Sequence, residues 1–521
     1  MYRTETFTSP APFLAVRFSW PLLIGVAIFA FLIQQPRLLH DPDTYWHLKV
    51  GQWILANGAI PQVDHFSHTM KGAAWHPHEW LGELLFAIAY AKGGWAAIVI
   101  CASAAFAAAL ALLSRYLLRF VEPIYVLGAI ALTYLLLAPH LLARPHVLMM
   151  PLLVAWSIGL MNAHDEDRPP SLGLLPAITI WANIHGSFVF GLLLAAAVGV
   201  GATISATGRR REVAIRWSVF LVASVGAAVI TPFGAAGLLF PFTVNDMSFA
   251  LSVINEWQSP NFQTLQPLEI CLFVVAAAVF TRGLRLSLLR IALLLGLLHL
   301  ALKHVRHGDL LALLAPLILA RPISEQWLSA SVKNIETSAV DAWFRRLNPP
   351  PSVAGVVLAS LVLVVASWAA IRSDTLRPPA KFAPQGALTA LQASGMPGRG
   401  LNSYEFGGYL IFSGIPTFID GRADLFGDSF LRTYVQSLNL NGEGGGFRQL
   451  IKQHDIQWTL LRPGSPAVEV LDQLAGWRRV YSDPDAVLHV RTSELTGPSV
   501  SEGNQEPQGG GRNAAQAEGR T

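Results

Sequence analysis

The chain has 521 residues, of which 53% are hydrophobic and 13% charged, with a formal net charge of +4. Soluble proteins carry roughly 25% charged residues, and here the apolar residues recur in long runs over the first two-thirds of the sequence. This excludes a soluble enzyme, a disordered chain and a disulfide scaffold, and points to a polytopic membrane protein. The basic residues sit in short connections between apolar runs, so the positive charge reads as topology and not as a nucleic-acid surface. Cys101 and Cys271 both lie inside apolar runs and predict neither a disulfide nor a metal thiolate.

Taken in chain order, the runs give about eleven candidate spans. They are Trp20–Ile33, Trp95–Leu113, Ile124–Leu137, Val147–Met161, Leu172–Trp181, Phe188–Ser205, Trp217–Leu239, Leu268–Phe280, Leu286–Leu300, Leu310–Ala320 and Val353–Ile371. The first run is followed by no small-residue cleavage site and reads as a retained span. Residues 1–376 therefore form the membrane domain. Alternate connections hold the basic residues: Arg3 and Arg17, Arg115 and Arg119, Arg168, Arg209 to Arg211 with Arg216, Arg282 to Arg290, then Arg321, Lys333, Arg345 and Arg346. The remaining short connections hold little beyond Arg144, Lys303 and Arg306. This asymmetry predicts a cytoplasmic amino terminus and an extracytoplasmic carboxyl-terminal domain.

The polar segments all fall on the predicted outer side. They are His40 to His47, His76-Pro-His-Glu-Trp80, Ala143-Arg-Pro-His146, Trp181 to Gly186, Asn255 to Pro260 and Lys303-His-Val-Arg-His307. A first outer loop of residues 34–94 is too long for a plain connection. It predicts two surface helices. Asp43 caps the first, which carries Trp46, Val50 and Trp53 at helical spacing as an interfacial amphipathic helix. The second starts near His78-Glu79 and runs through Leu84, Leu85 and Ile88.

Residues 377–399 are Pro-rich and read as a linker. Residues 400–492 predict a small α/β domain. Its strand-like runs are Tyr409–Phe412, Thr417–Ile419, Gln457–Leu461 and Ala486–Val490, and its helix-like runs lie near Phe430–Leu438 and Phe447–His454. Residues 493–521 lack apolar periodicity and read as a disordered tail.

Asp41 and Asp43 follow the first span, and His47 lies one helical turn beyond Asp43. A carboxylate there suits a general base for a hydroxyl acceptor. His78 and Glu79 form a second polar group with His65 and His68 upstream. The His-Glu-x-x-His pattern is absent, so oxygen ligands on Asp41, Asp43 or Glu79 favour a hard divalent ion over zinc. Arg144, Lys303 and Arg306 are cations at the outer ends of spans, either snorkelling to headgroups or binding phosphate. Asn183, His185 and Glu256 share that level and could hold sugar hydroxyls. Tyr404, Glu405, Asp420, Arg422 and Asp424 fall in two charged segments of the outer domain. They either pair across turns or face the membrane site from a lid. No Walker loop, Gly-x-Gly-x-x-Gly fingerprint or Gly-x-Ser-x-Gly elbow appears.

Asp41-Pro-Asp-Thr-Tyr-Trp-His-Leu48, Gly51-Gln-Trp-Ile54, Gly58-Ala-Ile-Pro61, Asp64 and His78-Glu-Trp-Leu81 resemble bacterial membrane proteins of the GT-C glycosyltransferase superfamily. Arg144-Pro145, Asn183-Ile-His-Gly186, Glu256-Trp257 and Asp420-Gly-Arg-Ala-Asp424 are similar to the same group, near the protein mannosyltransferase and lipid A aminoarabinose transferase types. The resemblance covers roughly residues 20 to 490. It implies an inverting hexosyltransferase-type enzyme of the bacterial inner membrane, with a polyprenyl-phosphate-linked sugar as donor. The acceptor is a hydroxyl of a protein, lipid or glycan on the outer face. By position it implies Asp43 as base with Asp41 second, Arg144, Lys303 and Arg306 at the departing phosphate, and no certain cofactor. The pattern departs from the superfamily in that Pro42 separates the two aspartates. Two rival readings are a transporter or flippase of lipid-linked glycans and a non-catalytic envelope scaffold.

Overall fold

The computed structural model describes residues 16–328, 344, 346–441 and 446–492. Arg3, Lys333, Arg345 and the tail predicted for 493–521 lie outside the described residues. The membrane part runs α1 (Trp20–Leu32), α2 (Asp43–Asn57), α3 (Trp80–Leu117), α4 (Pro123–Leu137), α5 (Pro145–Asp165), α6 (Leu175–Ile184) and α7 (Phe188–Ser205). It continues with α8 (Arg210–Ala228), α9 (Ala235–Asn245), α10 (Ser248–Val253), α11 (Pro267–Arg282), α12 (Leu288–Lys303), α13 (Gly308–Ile323) and α14 (Val353–Ser373). Among the described residues, six helices are long and apolar enough to cross a membrane.

The outward surfaces of these helices are apolar. Phe280 is 87% exposed, and Val353, Val364, Val365 and Trp368 of α14 are exposed together. Such a belt is stable only against lipid, because water would charge it roughly 25 cal/mol per Å². The interior is held by α3, α5 and α13, whose Phe106, Met150, Trp156, Leu313 and Leu317 are buried in one cluster.

Two predicted elements of the membrane part differ from the structure. Trp217–Leu239 is not one span. Thr231-Pro-Phe-Gly234 interrupts it, and Gly234 has φ of 54°, so α8 and α9 are separate helices. The surface helix near His78-Glu79 and the span Trp95–Leu113 are both present as predicted: α3 is two helices joined across a kink at Gly93-Gly94, where Gly94 takes φ of 60°. Finally, α2 does not lie with its apolar face in an interface. Tyr45, Trp46, Leu48 and Val50 are buried between α3 and the C-terminal domain. Nor does Asp43 cap it. The helix starts at Asp43, and the Asp41 carboxylate accepts the Asp43 amide at 2.9 Å.

The C-terminal unit follows as α15 (Gln385–Ala393), β1 (Arg399–Asn402), α16 (Gly407–Phe412), α17 (Ala423–Leu438), α18 (Gly446–Gln453), β2 (Ile456–Leu461), α19 (Pro466–Gln473), β3 (Trp477–Ser482) and β4 (Val487–Arg491). The sheet order is β1-β2-β4-β3, with β1 parallel to β2 and the other pairs antiparallel. Gln457–Leu461 and Ala486–Val490 are strands as their alternation predicts. Tyr409–Phe412 is helical, because Gly407-Gly408 lets that turn close against Pro42 and Asp420. Thr417–Ile419 forms only a single bridge, to Ser67. The segment 377–399 carries α15, whose Ala387, Leu388 and Leu391 bury against one face of the sheet.

The first loop and the C-terminal unit are stitched together. The His68 amide donates to Thr417 O at 2.9 Å, the Thr417 amide to Phe66 O at 3.1 Å, and the Thr69 hydroxyl to Phe418 O at 2.7 Å. Asp428 of α17 accepts the amides of Phe249 and Ala250 at 2.8 and 2.9 Å. It thereby caps α10 from outside the chain segment, an interaction worth about 1 kcal/mol.

Candidate active site

One cavity of about 1090 Å³ opens between the membrane helices and the C-terminal unit. Asp43, His47, His78, Glu79, Arg144, His185, Glu256, Arg306, Tyr404, Glu405 and Asp424 all line it. Phe190, Phe240, Pro241, Val244 and Leu310 give one side an apolar wall. Residues far apart in the sequence thus meet at one space. Asp41, Lys303, Asn183, Asp420 and Arg422 are not among the lining residues.

Arg144 organises the carboxylates. It stands just before α5, where Pro145 leaves it in extended backbone. Its Nη2 donates to Asp41 Oδ1 at 2.8 Å and meets Asp43 Oδ2 at 2.9 Å, while Nη1 donates to Glu256 Oε1 at 2.6 Å. Its Nε is bound to Asp41 Oδ2. All three guanidinium nitrogens are therefore engaged. Asp41 is buried and has both oxygens on Arg144, whereas Asp43 keeps 18% of its side chain exposed to the cavity.

One cation faces three carboxylates, so the group favours taking up a proton. Burial pushes Asp43 up to about 6, with Glu256 and Asp420 adding to the rise and His47 and the Trp46 indole opposing it. Burial alone would also raise Glu256, but Arg144 and Arg306 outweigh it and hold it near 2. At neutral pH Asp43 is thus ionised but close to its titration point.

Arg306 differs from Arg144. Its guanidinium lies 4.3 Å from the Trp257 ring centre, a contact of about 1 kcal/mol that orients it without consuming its donors. It has no carboxylate partner within salt-bridge distance among the described residues. Lys303 is exposed, at the end of α12.

A second polar group borders the first. Glu79 Oε1 lies 3.2 Å from His185 Nε2 and 3.5 Å from His78 Nε2, and its Oε2 lies 3.6 Å from His47 Nε2. His47 Nδ1 bonds Glu83 at 3.0 Å. Burial would raise Glu79, yet these histidines outweigh it and hold its carboxyl well below the usual range. Burial drives His185 down to about 4, so it is the neutral imidazole, and its Nδ1 pairs with Ser187 at 2.7 Å. Burial opposes charge on His47 as well, but Glu83 and Glu79 carry it above its ordinary value.

Asn183 is a structural clasp. It accepts from the Trp80 indole at 2.9 Å and donates to Thr179 O and Ile230 O. In the C-terminal unit, Asp424 accepts from the Trp75 indole at 3.2 Å. Burial pushes the Tyr404 hydroxyl far up, and Asp43 adds to this, so it stays protonated as a donor. Arg422 is fully buried, with Nη1 on Asp64 at 2.6 Å and Nε and Nη2 on Asp420 at 2.7 Å each. The sequence pattern does not single out Asp309 or His140, which also line the cavity. The available signal for Asp309 was an acid one residue into an apolar run.

Among the described residues, no group of three or more His, Cys, Asp or Glu is placed to hold a metal ion. Where Asp41, Asp43 and Glu256 converge, the guanidinium of Arg144 already supplies the cation. That carboxylate group is therefore already paired with a cation from within the chain, and no step below passes through a metal ion.

No family model and no curated protein matches the sequence. Similar solved structures include ArnT from Cupriavidus metallidurans in the apo state, with 14% identity and a TM-score of 0.46, covering 92% of this chain and 98% of that chain. The structure of ArnT bound to undecaprenyl phosphate has 14% identity and a TM-score of 0.45 over the same shares. The archaeal oligosaccharyltransferase AglB from Archaeoglobus fulgidus, in complex with an inhibitory peptide and a dolichol-phosphate, has 9% identity and a TM-score of 0.47. That match covers 85% of this chain and 69% of that chain.

Proposed function

We propose that this protein is an integral membrane glycosyltransferase that moves a sugar from a polyprenyl-phosphate carrier to a hydroxyl acceptor outside the cytoplasm. The observation that carries this reading is the shared cavity. An ionisable carboxyl (Asp43) and a cation without a carboxylate partner (Arg306) face one space whose side wall is apolar. Such a space suits a substrate that is part lipid, part phosphate and part sugar.

In this mechanism the Asp43 carboxylate takes the proton of the acceptor hydroxyl. The oxygen attacks the anomeric carbon, and the bond to the carrier phosphate breaks with its electron pair on the phosphate. One direct displacement inverts the anomeric centre. Arg306 meets the charge that develops on the leaving phosphate. Arg144 acts through Asp43, which it holds in place, and Lys303 is available to headgroup phosphate at the rim.

The ends of α5 support an orientation. This helix carries Arg144 at one end and Asp165 at the other, about 30 Å away at 1.5 Å per residue. Around Asp165 gather Arg290 and Arg321, with Arg119 and Arg209 on the neighbouring Glu166 and Asp167. The positive-inside bias supports reading that basic end as cytoplasmic, with the cavity and the C-terminal domain on the outer face.

The test is purified protein mixed with labelled polyprenyl-phosphate sugars and envelope extract. Label passing to a non-lipid or second-lipid acceptor supports the reading, and flipping of the carrier without transfer would favour a transporter. Two further outcomes are expected. Arg306→Ala weakens a charge-assisted contact of about 1.5–3 kcal/mol, so donor KM rises about 10- to 100-fold. A steady-state KM series in nanodiscs measures this, and an unchanged KM removes Arg306 from donor binding. The pH profile should show one acidic limb. Because the base works ionised and Asp43 sits at about 6, kcat/KM falls as pH drops through that value. A rate flat down to pH 5 would show that Asp43 is not the titrating base.

A further inference from the structure

We propose that two glycine contacts of the C-terminal domain position the Asp43 carboxyl, making this domain part of the reaction centre. This rests on the reading of Asp43 as the base. The Asp41-Pro42-Asp43 segment is approached from two separate turns. A Cβ on Gly421 would stand 2.0 Å from Asp43 Oδ1 and 2.6 Å from the Trp46 indole nitrogen. A Cβ on Gly408 would stand 2.3 Å from the Pro42 carbonyl oxygen. Only glycine lets the two backbones come this close.

The contact is fixed on both sides. Arg144 holds Asp43 Oδ2 at 2.9 Å, while Gly421 abuts Oδ1, so the carboxyl is gripped between a cation and a backbone turn. The turn itself cannot yield easily. Its neighbours Asp420 and Arg422 are locked into the buried pair with Asp64 of the first loop. Gly408 meets backbone, which has no rotamer to escape into. The distances alone require the absence of side chains at both positions. A displacement of about 1 Å at a catalytic group costs on the order of 100-fold in rate.

Gly421 is thus a positioning residue, and its test is a double-mutant cycle with Asp43 in the full-length protein in nanodiscs. Gly421→Ala should lower kcat about 10- to 100-fold with donor KM within about twofold. In an Asp43→Asn background the same change should have no further effect. A wild-type kcat in folded Gly421→Ala, or an equal fall in both backgrounds, overturns the proposal. Independently of activity, the carboxyl stretch of Asp43 can be titrated by infrared difference spectroscopy and assigned by its loss in Asp43→Asn. Asp41, Arg144, Glu256, His47, Asp420 and Tyr404 surround this carboxyl, so a displaced Asp43 changes midpoint, and an unmoved midpoint in Gly421→Ala overturns the proposal. If the wild type transfers no sugar, the functional reading fails and the infrared result alone decides the positioning. If Gly421→Ala does not fold, Arg422→Lys loosens the same turn while keeping its charge. It should shift kcat and midpoint in the same direction by less, and wild-type values for both would overturn the proposal.

Discussion

Asp43→Asn lowers turnover by about 10²- to 10⁴-fold, the range a positioned general base supplies. The change is nearly isosteric. It removes the proton acceptor while Arg144 keeps Asp41 and Glu256, so the frame around the site survives. The Gly421 turn meets an amide of the same shape in place of the carboxylate. Donor KM therefore stays within a few-fold, and binding of undecaprenyl phosphate as a probe is retained. Raising the pH does not rescue the variant, because an amide does not ionise. A variant that turns over at the wild-type rate would remove Asp43 from the chemistry. Asp41→Asn acts differently. Asp41 holds both Nε and Nη2 of Arg144 from a buried position, so its loss frees Arg144 and disturbs Asp43 and Glu256 together. A loss of stability along with activity is expected there, which separates the two aspartates experimentally.

Much of the membrane part was legible because lipid imposes a simple rule: an apolar run must satisfy its own backbone. The helices through Phe188–Ser205 and Val353–Ile371 follow directly. The rule fails where a tertiary contact decides. Trp217–Leu239 reads as continuous by hydropathy, but Pro232 and the φ of Gly234 divide it. Tyr409–Phe412 reads as a strand by composition, but packing at Gly407 and Gly408 closes it into a helix. The candidate site was legible as an inventory and not as a geometry. The types Asp43, Arg144, Glu256 and Arg306 stand out because charge is scarce around them. Nothing local reveals that Arg144 spends every nitrogen on carboxylates while Arg306 lies against Trp257. Nor can pattern reading pair Arg422 with Asp64, 358 positions apart in the chain. Buried ion pairs of such separation leave no periodic trace.

That buried pair carries the largest expected effect on stability. Arg422→Met leaves Asp64 and Asp420 buried without their cation, and removing one partner of such a group costs about 3–5 kcal/mol. The methionine keeps a chain of similar length but removes the guanidinium that lies over the Trp75 and Phe66 rings, so the loss reports the charge with its ring contacts. The thermal midpoint of the C-terminal domain, followed by tryptophan fluorescence, measures it. Asp64→Asn with Asp420→Asn in the same background should recover most of the loss, since no uncompensated charge is then buried. The pH dependence gives an independent check. In the wild type, burial would raise Asp64 but Arg422 outweighs it and holds the carboxyl below its ordinary value. A depressed carboxylate contributes stability above its unfolded pKa and loses it as pH falls. In Arg422→Met burial is opposed only by the hydrogen bonds from Ser67 and the Phe66 amide, so Asp64 rises relative to the wild type and its protonation on acidification relieves the buried charge. The gap between wild type and variant is therefore widest near neutral pH and narrows through the carboxylate range, around pH 4. A gap that stays constant with pH would mean that the guanidinium contributes packing alone. Since the same network anchors the turn against Asp43, Arg422→Met should also lower transfer at temperatures where the domain is still folded.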